Sequence, residues 1–149
     1  MTDNVEVLFA KLDENAIAPT QGSKSAAGWD LRALDATEVF KGKSTKIRTG
    51  LVVAIPDGWE GQIRSRSSLG AKGMIMPNGV GTIDSDYRGE LMVLATWIGE
   101  GDSIKLAKGE RIAQMLIAPV TNTTYREVTL ETLSKTERGE GGFGSSGRF

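Results

Sequence analysis

No stretch of this chain carries an apolar stripe at helical spacing as long as an ordinary helix, and that constrains its fold more than any other feature. Short β-branched runs are instead punctuated by glycine, proline and aspartate at intervals of roughly eight to twelve residues, the spacing of strands and turns. LVVAI at 51 to 55 stops at Pro56-Asp57-Gly58, where proline presets φ and glycine supplies a positive φ for the turn. Val5, Val7 and Phe9 alternate with Glu6 and Leu8, as in a half-buried strand. Further strands are expected over Trp59 to Ser65, Gly73 to Met76, Glu90 to Ile98, Ser103 to Leu106 and Arg111 to Val120. One short helix is expected from Ser67 to Lys72, with Ser67 as its cap, and a second turn over Glu131 to Ser134. The 149 residues, 39% hydrophobic and 25% charged, suit one globular domain, and the pattern suits an all-β barrel or jelly roll.

There is no cysteine and no histidine, which excludes disulfides, thiolate zinc sites, cysteine nucleophiles and imidazole bases. A hydrolase built from this composition needs a carboxylate base, and a metal held by oxygen: magnesium, calcium or manganese. The formal net charge of −1 gives no general polyanion-binding surface, so direct nucleic-acid binding is not expected and any cationic site must be local. No apolar run approaches a membrane span, and the expectation is a cytoplasmic protein with no membrane contact. Gly42-Lys43-Ser44 ends like a Walker loop, but Thr37 stands where the first glycine is required, so the segment reads as a polar turn between Phe40 and Ile47.

Four segments carry more chemistry. In GQIRSRSSLGAK, 61 to 72, Arg64 and Arg66 share a strand face that runs into the helix beginning at Ser67 and Ser68; this is either an anion site or an exposed strand end with a capped helix. In NGVGTIDSDYRGE, 78 to 90, a tight Asn78-Gly79 turn precedes Asp84 and Asp86 beside Tyr87, which suits catalysis and a solvated loop equally. In GERIAQMLIAPV, 109 to 120, Gln114 faces the same side as Ile112, Leu116 and Ala118 and needs partners from the backbone or a ligand. From Thr136 the chain turns to TERGEGGFGSSGRF, with five glycines between Arg138 and Arg148. Such an arm is mobile until it is held, and its aromatic ring, hydroxyls and arginines suit a lid over a nucleotide.

AGWDLRA (27 to 33), RSRSSLG (64 to 70), NGVGTIDSDYRGE (78 to 90), GERIAQM (109 to 115) and RGEGGFGSSG (138 to 147) together resemble, in order and spacing, the five signature segments of the trimeric dUTP diphosphatases, the dUTPases. The resemblance implies a jelly-roll homotrimer with active sites shared between subunits. Its catalytic domain would span residues 1 to 136, and a flexible arm, 137 to 149, would close over the site. The implied reaction is hydrolysis of dUTP to dUMP and pyrophosphate by water attack on the α-phosphorus, which limits uracil in DNA and supplies dUMP for dTMP synthesis. By the same resemblance Asp84 is the general base, Tyr87 packs under the deoxyribose and Asn78 reads uracil, in a pocket that includes Gly81, Thr82, Ile83 and Met92. Arg66, Ser67, Ser68 and Gln114 match phosphate-contacting positions, Gln114 among the catalytic ones. Asp30 matches an acid that reaches a magnesium ion through water, the Mg2+ riding mainly on the triphosphate. Arg138, Phe143, Gly144, Ser145 and Ser146 match the closing arm. Trp29, Ser65 and Ser68 depart from the residues more usual there.

Two other functions compete. The dCTP deaminases share a Ser-Ser-Leu element after an arginine, but their catalytic glutamate would fall at Leu94. A regulatory protein that uses its nucleotide-bound arm to engage a partner is the second, although no long insertion interrupts the five segments to supply a partner module.

Overall fold

The computed structural model describes residues 4–149. Twelve strands follow in chain order: β1 (Leu8–Lys11), β2 (Thr20–Gln21), β3 (Trp29–Arg32), β4 (Thr37–Phe40), β5 (Thr45–Arg48), β6 (Leu51–Ala54), β7 (Trp59–Ser65), β8 (Met74–Ile75), β9 (Gly81–Ile83), β10 (Met92–Trp97), β11 (Ser103–Leu106) and β12 (Arg111–Pro119). A single α-helix, α1 (Ser67–Lys72), joins β7 to β8, and a 3₁₀ turn spans Leu130–Thr132. The ladders between these strands are antiparallel, so the fold is all-β among the described residues apart from those two short helical pieces. The largest sheet has the order β2-β3-β12-β7-β9; β5-β10-β8, β1-β6 and β11-β4 make up the rest.

Alternation places the core. Val93, Ala95 and Trp97 of β10, Leu51 and Val53 of β6, and Gly61 and Ile63 of β7 point inward. Leu31, Ile47, Leu51, Ile63, Leu91 and Ile112 are wholly buried, each contributing about 1.5–3 kcal/mol by leaving water. The strands β3, β4 and β5 were not expected, for a physical reason: each buries one fully enclosed side chain, Leu31, Val39 or Ile47, and turns charge outward, leaving too little apolar pattern to read. Between β4 and β5, Gly42 takes φ 71° and the Lys43 N–H bonds the Phe40 carbonyl, so the Walker-like segment is a turn.

Three local expectations are corrected. The first strand starts at Leu8, not Val5, although Val5, Val7 and Phe9 still face one apolar groove with Pro19, Trp29, Val53, Met115 and Ile117. Ser67 does not cap α1: the cap position is Arg66, in extended backbone, and no side chain bonds the helix start. The alternation of β12 breaks at a bulge between Arg111 and Ala113, which turns Ile112 into the core beside Ala113 and leaves Gln114 on a half-buried face without it.

The packed part of the chain ends with β12. The Val120 N–H donates to the Gly58 carbonyl at 2.9 Å, and beyond it the turns bond within the tail, Gly141 to Arg138, Ser145 to Gly142 and Gly147 to Gly144. Residues 121–140 and 143–149 are exposed throughout, including Tyr125, Leu130, Leu133 and Phe143.

Candidate active site

Sheet register sets one end of the site. Asp30 of β3 lies opposite Gln114 of β12, and Gln114 lies opposite Arg64 of β7, so the segments AGWD, RSRSS and ERIAQ meet on three neighbouring strands. Where β7 ends, the chain turns at Arg66 into α1, and this brings the Arg66 Nε to 3.8 Å from one Asp30 oxygen. Arg111 places its Nη1 3.7 Å from the other oxygen, and its carbonyl accepts a hydrogen bond from the Arg66 Nη1 at 3.2 Å. Both ion pairs are longer than a hydrogen bond, so the two guanidinium groups keep N–H donors for an incoming anion. Ser67 and Ser68 stand exposed beside them in the first turn of α1.

Gln114 donates from its Nε2 to the Ser65 carbonyl at 3.2 Å. Its side chain fills the space that a Cβ on Gly28 would take, so the glycine of AGWD is required by Gln114 rather than by a turn. The expected partnership of Arg64 with Arg66 does not form. Arg64 bonds Gln62 two residues back on its own strand face at 2.6 Å, while Arg66 has already left the strand, so the guanidinium group that joins Arg66 beside Asp30 is that of Arg111. Sequence reasoning missed Arg111 because its approach to Asp30 depends on the β3–β12 register and the bulge, neither of which leaves a local signal.

The other end is a hairpin and a turn. Asn78 is exposed in the tight turn closed by the Gly79 N–H on the Met76 carbonyl, with Gly79 at φ 74°. Gly81, Thr82 and Ile83 form β9, which pairs with Ile63, Gln62 and Gly61 of β7. Asp84 then begins a turn in which the Tyr87 N–H bonds its carbonyl at 3.1 Å. The Asp84 carboxylate is exposed, in an open cleft of about 570 Å³ whose wall includes Trp59, Glu60, Thr82, Ser85 and Thr123. Tyr87 is 42% exposed, with its hydroxyl donating to the Glu90 carbonyl at 2.9 Å. Met92, also partly open, lies opposite Arg48 in the β10–β5 ladder. The bonds that Arg48 makes to Glu90 hold its guanidinium above its ordinary pKa, so it is charged at every working pH.

One chain does not bring the two ends together. Asp84 follows the residue paired with Gly61, Asp30 lies level with Arg64, and three inter-strand steps separate β3 from β9. At about 4.8 Å per step and about 3.3 Å per residue, the backbone positions of the two acids are about 20 Å apart along the sheet. Arg138, Phe143, Gly144, Ser145 and Ser146 lie in the exposed tail; Phe143 has φ 50°, and the Arg138 Nε bonds the Gly141 carbonyl at 2.7 Å. Among the described residues no three acidic, histidine or cysteine side chains converge on a metal position, and no helix is long and apolar enough to cross a membrane.

Comparison with known proteins places this geometry. The sequence model of one protein family, described as dUTPase, matches residues 14–147. The deoxyuridine 5'-triphosphate nucleotidohydrolase of Nautilia profundicola is 46% identical over 145 residues, covering 97% of this chain and all of the relative. The solved dUTPase of Staphylococcus bacteriophage 80alpha with dUPNHPP superimposes with a TM-score of 0.82 at 29% identity, covering 96% of this chain and 99% of that one. A variant dUTPase from phage phi11 of S. aureus, described for its coordination of a structural Mg(II) ion, shares the fold with a TM-score of 0.73 at 21% identity, over 83% and 96% of the two chains. The β architecture is therefore the dUTPase jelly roll, and the chain belongs to the dUTPase family.

Proposed function

We infer that the family's reaction, hydrolysis of dUTP to dUMP and pyrophosphate, runs in this chain with Asp84 as general base and the Asp30–Arg66–Arg111–Gln114 end as the phosphate seat. The observation that carries this reading is the convergence of three segments distant in sequence on two guanidinium groups held loosely by one carboxylate. Asp84 takes a proton from water as the water oxygen bonds the α-phosphorus; the bond from that phosphorus to the bridging oxygen breaks, and pyrophosphate leaves with the electron pair. Arg66 and Arg111, freed in part from Asp30, neutralise charge on the departing phosphates, while Ser67, Ser68 and the Gln114 amide orient them.

A base about 20 Å from its phosphate seat cannot serve it, so the reading includes a homotrimer in which Asp84, Asn78 and Tyr87 of one copy face the seat of another. Two features of the isolated chain support assembly: Tyr125, Leu130 and Leu133 are exposed, and the groove lined by Val5, Val7, Phe9 and Met115 lies open. Residues 137–149 then close over bound nucleotide, with Phe143 on the base and Arg138, Ser145 and Ser146 on the phosphates. The residues fit magnesium only as a passenger of the triphosphate. Each Asp30 oxygen already faces a guanidinium, so the carboxylate suits a metal-bound water better than the metal, which would supply charge neutralisation on the phosphates.

On this reading uracil sits at the Asn78 hairpin, where a 5-methyl group would clash, and the Tyr87 ring under the sugar disfavours a ribose hydroxyl. Pyrophosphate release measured with dUTP, dTTP, dCTP and UTP tests the reading. A clear preference for dUTP is expected, and comparable kcat/KM for dTTP or UTP overturns it.

A further inference from the structure

Arg48 lies outside the five signature segments and Glu90 closes one of them without an assigned contact to nucleotide, yet the two form the most fully bonded ion pair of the described chain. Arg48 donates from Nε to both Glu90 oxygens, at 3.3 and 3.1 Å, and from Nη2 to Oε1 at 3.1 Å. The same carboxylate accepts the Gly50 N–H at 3.3 Å, and its side chain is only 9% exposed. The backbone on either side is fixed as well: the Leu91 N–H bonds the Leu51 carbonyl at 2.7 Å, and the buried Thr49 hydroxyl bonds the Leu91 carbonyl at 2.6 Å.

Tyr87 hangs from this anchor. Its ring folds back across Gly89, where any Cβ would strike the phenol, and its hydroxyl ends on the Glu90 carbonyl. An exposed aromatic side chain is free to leave such a position unless something immobile holds its far end. Here that something is a carbonyl whose own residue is tied by its carboxylate to β5 and to the turn after it. We propose that Glu90 and Arg48 are positioning residues that fix the Tyr87 ring, and through it determine the preference for deoxyribose over ribose. The inference rests on the reading of Tyr87 as the residue beneath the sugar.

Neither residue is assigned to uracil or phosphate, so the expected effect is confined to the sugar. In Glu90→Gln the bidentate ion pair is lost while the chain length is kept; in Arg48→Gln the carboxylate stays but loses its cation. Both variants are expected to narrow the ratio of kcat/KM for dUTP over UTP by roughly 3- to 10-fold, the worth of about one hydrogen bond, and to leave the ratio of dUTP over dTTP unchanged. Tyr87→Phe, which keeps the ring and removes its tether, is expected to narrow the sugar ratio in the same way. Melting temperatures measured alongside separate positioning from support, because a loss of stability alone lowers all three substrates together. Arg48→Gln alters an exposed side chain and keeps the test open if Glu90→Gln does not fold. An unchanged dUTP to UTP ratio in Arg48→Gln and Tyr87→Phe overturns the proposal. Tyr87→Ala separates the two failures: if it collapses the sugar ratio while those variants do not, only the anchoring role falls. If it leaves the ratio intact, the assignment of Tyr87 to the sugar falls, and the anchoring role with it.

Discussion

In the body of this molecule several glycines stand where a side chain or a second piece of backbone has come too close for a Cβ: Gly28 beneath Gln114, Gly73 against the backbone of Gly99, Gly89 under Tyr87; others, such as Gly42, Gly58 and Gly79, serve open turns. In residues 121–149 the one tight glycine, Gly141, meets only atoms of the tail itself, the Arg138 carbonyl and the Ser145 hydroxyl. Gly144 and Gly147 take φ of 88° and 90° with nothing within 4 Å of where a Cβ would be. The body therefore encodes its geometry in its own packing, whereas the tail encodes only which turns it can make. The chemistry is divided in the same way. The proposed base and phosphate seat belong to strands and turns of the body, and the groups proposed to cover the substrate belong to the exposed tail.

Removing the base should break the rigid side of that division most severely. Asp84→Asn keeps the shape of an exposed side chain but cannot accept a proton from water. Turnover is expected to fall about 10²- to 10⁴-fold with nucleotide affinity and melting temperature retained. Near-normal kcat would move the base to Asp30 or Asp86. Next in size is deletion of residues 138–149. It takes nothing from the core, so the melting temperature and the sedimentation of the assembly should be unchanged, while kcat/KM falls by about 10²-fold as the α-phosphate loses its alignment. Full activity in the truncated protein would mean that the tail has no part in the reaction.

A smaller effect is expected at Gly28. Alanine there must displace the Gln114 amide from the Ser65 carbonyl, with an overpacking cost of about 1–3 kcal/mol. Because Gln114 sits opposite Asp30, the same shift should lower kcat/KM about tenfold, a loss that Gln114→Ala in the same protein should not deepen. Additive losses in the double variant would show that Gly28 and Gln114 act separately.

How far the sequence could be read follows the same boundary. Trp59 to Ser65, Ser103 to Leu106 and the helix Ser67 to Lys72 are legible to the residue, because each carries its own alternation or its own turn chemistry. The strands β3, β4 and β5 are not, since one buried side chain in four residues gives no period to detect. Asp30, Arg66, Gln114 and Asp84 are proposed from their segments, but the approach of Arg66 and Arg111 to Asp30 is a product of register, and the bulge beside Ile112 is a tertiary event. The roughly 20 Å between Asp84 and Asp30 has no trace in either segment, because distance across a sheet depends on strand order, which no local residue pattern states.

The smallest effect sharpens the comparison most, since it sets a glycine of the tail against Gly28. At Gly147, alanine meets no atom, so it creates no clash; its cost is that of holding an L side chain at φ of 90°, about 1–2 kcal/mol. In the body such a sum would lower the melting temperature of a domain this size by several degrees. In the tail it should not register, because the turn closed by the Gly147 N–H on the Gly144 carbonyl can open without disturbing any buried residue, and the global transition does not include it. The cost reappears only if the closed state requires that turn. A melting temperature within about a degree of the parent, together with a kcat/KM lowered a few-fold, is then the expected pair of results. A drop of several degrees in Gly147→Ala would show that the arm already packs on the assembled body before any nucleotide arrives.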